Sequence, residues 1–430
     1  MVNENARYTK PESSQNPRLL RFIELAAFVS FILFNETGPP IVKFPAPLFL
    51  IVFLFVISLF AVFVENRKFF RVWSKEPVVF FIGFIAINIV SVFFSERPVI
   101  ASVHVGSYCI IFLFVTVLIQ HHNLDSLLNL TKWSVFLIIF FSVCLHLAGI
   151  YNGFKEFGDR FAGSFFHPNQ LAMFCGIYVL LSITTSLLIS DDDTKSTRLS
   201  LFLKYVEIVL LLPVFWVLVK TRCRAEPIAL FVTLFILLGL TLSKEKHAQA
   251  YRIRSVILAF LGMCIMGISL FAFYLRSKSA PLWSLSGRGE VWGLVVTKIL
   301  DYPMLGYGTG VIRDVMKEQG DKWFFNGSHN SYFDAALYAG LPGGFVLVLF
   351  MASTIYKVGK KYSTNEPVAL ARVAICAYYA ILSFVDLVIT GWPRLDLLLF
   401  LMIGFHIART NTRTKLQQSL SKNPVSRKLY

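Results

Sequence analysis

The feature that most constrains the fold of this chain is a series of apolar stretches that recur along nearly its whole length. Stretches of this kind are long enough to cross a hydrocarbon core about 30 Å thick. Because lipid offers no partner to an unpaired backbone N–H or C=O group, they are expected to be helical. Hydrophobic residues make up 56% of the chain, against about 45–50% in a soluble globular protein, and the mean hydropathy is +0.65. The sequence therefore predicts an all-α integral membrane protein.

We predict about twelve transmembrane helices. They lie near Leu19–Asn35, Ala46–Val64, Val78–Phe94, Ile100–Ile119, Trp133–Ile150, Gln170–Ile189, Tyr205–Val219, Pro227–Leu242, Val256–Tyr274, Ser331–Tyr356, Ala369–Ile389 and Leu395–Ile407. The ends of the first are the least defined, because Arg21 and Glu24 interrupt it. The predicted organisation comprises an N-terminal tail (1–18), helices one to nine (19–275), a long loop (276–330), helices ten to twelve (331–408) and a C-terminal tail (409–430).

Basic residues are concentrated in alternate loops, and short cytoplasmic loops are enriched in Lys and Arg. The clearest are Arg67, Lys68, Arg71 and Lys75, then Lys195, Arg198 and Lys204, then Lys244, Lys246, Arg252 and Arg254, and then Lys357, Lys360, Lys361 and Arg372. Both tails are basic as well, so we expect both termini in the cytoplasm. This topogenic role and attraction to anionic lipid explain most of the formal charge of +16, and we infer no nucleic-acid partner from it.

Three of the loops assigned to the outer face carry cations that this rule disfavours there. They contain Lys155 and Arg160, then Lys220, Arg222 and Arg224, and then Arg276, Lys278 and Arg288. An anionic ligand is the simplest reason, since a guanidinium group matches phosphate oxygens bidentately and stays charged when partly desolvated. The alternative is that these side chains reach outer-leaflet lipid phosphates. That alternative is favoured for Lys155, Arg276 and Lys278, and the anionic ligand for Arg224.

The loop at 276–330 is about 55 residues long by this assignment, which is typical of a functional loop. A short amphipathic helix is predicted from Arg288 to about Leu300, with the apolar stripe Val291, Trp292, Val295 and Ile299 resting on the membrane surface. A second amphipathic segment is predicted over Val311–Gln319.

Between these segments, Gly306, Gly308 and Gly310 are predicted to form a turn. The run is not a dinucleotide-binding motif, because it follows a helix instead of a strand. Contact of its backbone amides with a phosphate is a less favoured alternative.

His329 stands at the start of the tenth predicted helix, on the same face as the unusual arginines. Imidazole accepts a proton near neutral pH, so His329 is a candidate general base. The alternative is a histidine that only caps the helix or hydrogen-bonds at the interface.

Four short motifs follow one another along the chain. They are 160–169 (RFAGSFFHPN), 221–225 (TRCRA), 287–292 (GRGEVW, followed by Pro303 and by Gly306 to Gly308) and 329–332 (HNSY, with Gly340, Pro342 and Gly343 downstream). In this order they resemble the O-antigen ligase and O-antigen polymerase superfamily of bacterial envelope glycan transferases, with Arg224 on the family's arginine. The resemblance covers residues 155–345. Cys223 and Ala225 depart from it, since they stand where the family often has Ser and Gly.

The resemblance implies transfer of a glycan from undecaprenyl diphosphate to an acceptor hydroxyl, such as one on lipid A-core, at the periplasmic face of the bacterial inner membrane. The hypothesis assigns His329, Arg224 and Arg288 to catalysis, and Arg160 and Arg222 to diphosphate binding. Asn330 and Tyr332 would orient His329 or the sugar. No metal or cofactor is expected, because guanidinium groups take the place of a divalent ion. The expected partners are the lipid-linked donor, the glycan or lipid acceptor and membrane lipids.

Two alternatives remain open for the function. An O-antigen or exopolysaccharide polymerase would use the same chemistry, and a polytopic transporter or flippase is a less favoured reading.

Other polar residues and cysteines receive minor predictions. Asp386, Arg394 and Asp396 are predicted to form an ion pair or to contact the acceptor, and Glu207 to extend to the interface. Cys109, Cys144, Cys175, Cys264 and Cys376 are predicted to pack within spans, whereas Cys223 is expected near an aqueous surface.

Overall fold

The structure is a computed structural model, and every regular element among the residues that it describes is a helix. It describes residues 17–34, 75–149, 160–165, 167–184, 198–242, 288–312, 328–362, 367–384 and 397–408, together with the single positions 260, 262, 264, 265, 267, 315 and 395. The helices are α1 (Pro17–Phe34), α2 (Val78–Val92), α3 (Pro98–His121), α4 (Leu124–Leu147), α5 (Pro168–Ser182), α6 (Arg198–Thr221), α7 (Ala225–Leu242), α8 (Arg288–Asp301), α9 (Ser331–Tyr362), α10 (Pro367–Leu382) and α11 (Leu397–Ala408).

The predicted all-α membrane class is confirmed in its coarse form. Among the described residues, three helices are long and apolar enough to cross a membrane, namely Pro98–His121, Leu124–Leu147 and Ser331–Lys360. Shorter apolar helices accompany them at six further predicted spans. The number of twelve stays a prediction. The second predicted span and most of the ninth lie outside the described residues, as do Lys155, the segment 276–287, Asp386, Arg394, Asp396 and the tails at 1–16 and 409–430.

Helix α4 begins nine residues before the span predicted from the apolar run. Asn123 caps it, since its side chain accepts a hydrogen bond from the amide of Asp125. Lys132 therefore lies inside the helix, 2% exposed, and its Nζ donates to Oε1 of Glu207 on α6 at 2.7 Å. The prediction that Glu207 extends to the interface is wrong, because a buried ammonium group neutralises its carboxylate between the helices.

Contacts of acidic side chains join helix ends that the sequence assigns to one side of the membrane. Glu24 on α1 is fully buried, and its two carboxylate oxygens lie 2.7 Å from Nδ1 of His121 and 2.9 Å from Nε2 of His122 at the end of α3. Arg372 on α10 lies 3.6 Å from Asp125 at the start of α4. The contacts agree with the predicted alternation of helices. Which side faces the cytoplasm stays a prediction.

Helix α9 is broken near its first third, where Ala339 and Gly340 have non-helical dihedral angles. The segment after α8 supplies hydrogen bonds at this break. The amides of Tyr307 and Gly308 donate to the carbonyl groups of Leu337 and Tyr338 at 2.9 Å each, and Leu341 donates to Pro303 at 2.7 Å. The break therefore carries no orphaned groups at these positions, and the glycine turn is fixed against α9.

Helix α8 packs on the first segment of α9. Val291, Val295 and Ile299 are at most 5% exposed and form one cluster with Leu337 and Tyr338. The predicted helix is confirmed, and three of its four predicted stripe residues are buried. They face α9, because the bend of α9 offers an apolar surface at close range. That the helix lies at the membrane surface stays a prediction.

Candidate functional site

The arginine-bearing turn lies between α6 and α7. Thr221 ends α6 and donates its hydroxyl to the carbonyl of Leu218 at 2.7 Å. Arg222 then adopts a left-handed conformation with φ of 48°, and its amide donates to Val219 at 3.1 Å. This reversal lets Arg224 follow at once, immediately before α7 begins. The backbone of the turn is thus fixed by local hydrogen bonds.

Arg160 is bound directly to this turn, although it lies 61 residues earlier. Its Nε donates to the carbonyl of Thr221 at 3.0 Å, and its Nη2 donates to Oδ1 of Asn169 at 2.7 Å. The amide of Phe161 also donates to the carbonyl of Lys220 at 3.1 Å. Among the described residues, the remaining three N–H groups of the Arg160 guanidinium make no hydrogen bond. Arg160 is therefore anchored on one side, with donors to spare for a ligand.

Arg224 interacts electrostatically with two other predicted site residues, Arg160 and Arg288. Partial burial lowers the pKa of Arg224, and the positive charges of Arg160 and Arg288 lower it further. Arg288 is the first residue of α8, so three separate segments contribute to this group. Such like charges repel each other, and a bound anion would relieve the repulsion. Arg222 shares the turn with Arg224.

Cys223 is buried, and the expectation that it lies near an aqueous surface is wrong. Its side chain is 3% exposed, and Sγ lies 3.2 Å from Oδ1 of Asn169. It also donates to the carboxylate of Glu226, which is itself 2% exposed. Glu226 was missed from the sequence because an acidic residue in the first turn of a helix is common. Of the cysteines predicted to pack within spans, Cys175 and Cys376 are buried and Cys144 is exposed.

His329 occupies a tight turn just before α9. Its φ of 53° is left-handed, and its neighbours hold it in place. Nε1 of Trp292 donates to the carbonyl of Ser328 at 2.9 Å, and the Ser328 hydroxyl donates to the carbonyl of Asn330 at 2.8 Å. The imidazole is partly exposed. A partly exposed imidazole on a fixed turn is suited to exchange a proton with a bound substrate.

Asn330 and Tyr332 use their polar atoms on the protein. Oδ1 of Asn330 accepts hydrogen bonds from the amides of Tyr332 and Phe333 at 2.9 and 3.1 Å, so Asn330 caps α9. Its Nδ2 donates to the carbonyl of Phe384 at 3.2 Å, and the Tyr332 hydroxyl donates to Ala380 at 3.3 Å. These contacts fix the start of α9 against α10. The predicted contact of either side chain with a sugar stays a prediction.

Asp334 is a further residue of this turn that the sequence reasoning did not select. It is fully buried, and its Oδ1 accepts a hydrogen bond from the amide of Ser328 at 3.0 Å. Its Oδ2 lies 3.4 Å from the hydroxyl of Tyr338. The sequence signal that could have identified Asp334 is an acidic residue five positions after His329, near the start of a predicted span.

Helix α8 connects the arginines with the histidine turn. Arg288 at its start acts on Arg224, and Trp292 bonds Ser328, next to His329. Four residues of helix correspond to about 6 Å. The structure thus links His329, Arg224, Arg288 and Arg160 through one short helix and its contacts.

The glycine turn is structural. Gly306 donates its amide to Tyr302 at 3.0 Å, and the amides of Tyr307 and Gly308 are bonded to α9. The predicted turn is confirmed. The amides of Gly306, Tyr307 and Gly308 are thus used within the protein, and contact of the Gly310 amide with a phosphate stays a prediction.

Comparison with known families agrees with the resemblance that these residues carry. Residues 208–348 match the family model described as O-antigen ligase. The matched region includes Arg222, Arg224, Arg288 and His329, whereas Arg160 lies outside it. No curated protein matches the chain. The match covers about a third of the chain and supports an O-antigen ligase-like family.

Proposed function

We propose that the protein is an O-antigen ligase-like glycosyltransferase. It moves a glycan from undecaprenyl diphosphate to an acceptor hydroxyl, on lipid A-core, at the periplasmic face of the inner membrane. The observation that carries this proposal is the group of Arg160, Arg224 and Arg288, which come from three separate segments. Burial lowers the pKa of Arg224, and repulsion from Arg160 and Arg288 lowers it further. A diphosphate supplies the charge that such a group lacks.

In the proposed reaction, the oxygen of the acceptor hydroxyl attacks the anomeric carbon and forms the new glycosidic bond. The bond between this carbon and the phosphate oxygen breaks, and its electron pair leaves with the diphosphate. The proton of the hydroxyl moves to the imidazole of His329. Because the attack is a single displacement, the anomeric configuration inverts.

The arginines act on the leaving group. Negative charge builds on the diphosphate as the bond breaks. Fixed guanidinium groups therefore stabilise the transition state more than the bound ground state. Arg224 and Arg288 make this contribution, while Arg160, held by Thr221 and Asn169, and Arg222 hold the donor. The reaction then requires no metal, and activity in EDTA is the expected result.

A reconstituted assay tests the assignment of the base. Purified protein receives undecaprenyl-diphosphate glycan and lipid A-core, and transfer is followed with His329→Asn and His329→Gly. Both residues tolerate a left-handed backbone, so lost activity reports lost chemistry and not strain at φ 53°. We expect a loss of about 100-fold or more. Full activity in both variants would show that His329 is not the base.

The polymerase alternative shares this site and differs only in the acceptor. Deletion of the gene separates the two. Polymer that stays on the carrier, with no attachment to core, indicates a ligase, whereas core carrying single repeat units indicates a polymerase. A transporter would instead move lipid-linked glycan across liposomes without forming a bond, and that result would overturn the proposal.

A further inference from the structure

Asp334 is a buried carboxylate that the proposed reaction does not yet use. It lies in the first turn of α9, is fully buried, and is joined to the turn of His329 through the amide of Ser328 at 3.0 Å. Its own amide donates to the carbonyl of Asn330 at 3.0 Å. The residue therefore contacts the backbone on both sides of His329.

A buried carboxylate is costly unless hydrogen bonds or a positive charge compensate it. Among the described residues, the side chains that act on the Asp334 carboxylate are those of Ser328, Tyr338 and His329. His329 is the one of these that can become positively charged. The two carboxylate oxygens contact the Ser328 amide and the Tyr338 hydroxyl, and the negative charge acts on His329.

We propose that Asp334 is the positioning partner of His329. It holds the turn that carries the imidazole, and its negative charge stabilises the imidazolium ion that forms when His329 takes the hydroxyl proton. The inference rests on the proposed function. Asp334 itself takes no proton in this step. The imidazolium ion returns its proton to water after the product leaves. A buried carboxylate orients and stabilises the base of a Ser-His-Asp triad in the same way.

Asp334→Asn separates the charge from the shape. The amide oxygen of Asn still accepts the hydrogen bond from Ser328, whereas the negative charge is gone. We expect kcat to fall about 10- to 100-fold, with KM for the donor changed by less than about threefold. Without the negative charge, the imidazolium ion is less stable. The acidic limb of the activity profile should therefore move to lower pH.

Two further variants complete the test. Tyr338→Phe removes the weak contact at 3.4 Å but keeps the charge, so its activity should remain within about threefold of the native value. Asp334→Glu keeps the charge and should restore part of the activity and the native position of the acidic limb. Thermal unfolding of each purified variant reports whether it is folded.

The outcomes distinguish the possible roles. Native kcat and pH profile in Asp334→Asn would overturn the inference. The inference would also be overturned if Asp334→Asn lost thermal stability, donor binding and activity together while its residual activity kept the native pH profile. Asp334 would then have a purely structural role. If native protein forms no product at all, the proposed function fails and this inference fails with it. Product from native protein combined with an unaffected Asp334→Asn variant removes the inference alone.

Discussion

Replacement of Arg224 should weaken catalysis without weakening the fold. Arg224→Met keeps an unbranched apolar stem of similar length and removes only the guanidinium group. In the unliganded protein, this change removes the repulsion from Arg160 and Arg288. Repulsion between partly solvated charges has about the size of a surface ion pair, 0.2–1 kcal/mol. The thermal stability of the variant without donor should therefore be equal to the native value or slightly higher.

The effect on transfer has the opposite sign. A charge-assisted hydrogen bond contributes about 1.5–3 kcal/mol. We take about 2–3 kcal/mol for a bidentate contact in a partly buried turn, which corresponds to a loss of about 30- to 150-fold in kcat/KM. Arg224→Lys keeps the charge but loses the planar fork, so it should fall between the native protein and Arg224→Met.

The assay compares kcat/KM and thermal unfolding of these variants with those of Arg97→Ala. Arg97 is an exposed arginine at the start of α3, outside the segments that carry Arg160, Arg224 and Arg288, so its loss should change kcat/KM by less than about twofold. The reasoning is refuted if Arg224→Met has the same kcat/KM as this control. It is also refuted if Arg224→Met unfolds at a clearly lower temperature without donor, because the arginine would then stabilise the fold.

Three other changes test the structure around the site. Arg222→Gly should raise the free energy of unfolding by about 1 kcal/mol, since the φ of 48° at this position is left-handed and favours glycine. If the variant transfers glycan as fast as the native protein, Arg222 contacts lipid and not the donor. Gly306→Ala should destabilise by about 2–4 kcal/mol, because its Cβ would lie 2.5 Å from the carbonyl oxygen of Leu337; a stable variant would contradict the docking of this turn. Lys132→Met should cost about 3–5 kcal/mol by leaving Glu207 unpaired, and adding Glu207→Met should recover much of it; equal stability of single and double variants would exclude the ion pair.

The sequence was informative about helices because the apolar content of each stretch acts locally. The span predicted at 78–94 corresponds to α2, and the amphipathic helix predicted from Arg288 to about Leu300 corresponds to α8. Errors arose where a distant partner compensates a charge. The fifth predicted span started too late because Lys132 interrupts the apolar run, and only Glu207 on α6 makes its burial possible.

For the site, the sequence identified residue types and order but not contacts. Arginines placed against the topogenic rule indicated an anion site, and His329 indicated a base. The roles of Asn169, Cys223 and Glu226 in fixing the arginine turn were not predictable, since these are ordinary residues whose importance arises from side-chain contacts.

The sequence by itself thus determined that this chain forms apolar helices and which of its charges oppose the insertion rule, because hydropathy and charge placement are properties of each segment alone. Only the tertiary structure decided which groups meet. It placed Arg160, Arg224 and Arg288 in electrostatic contact, turned the stripe of α8 toward α9, and buried Asp334 beside His329. Electrostatic energy and burial depend on distances in space. Segments far apart in the chain come close to each other only when the helices pack.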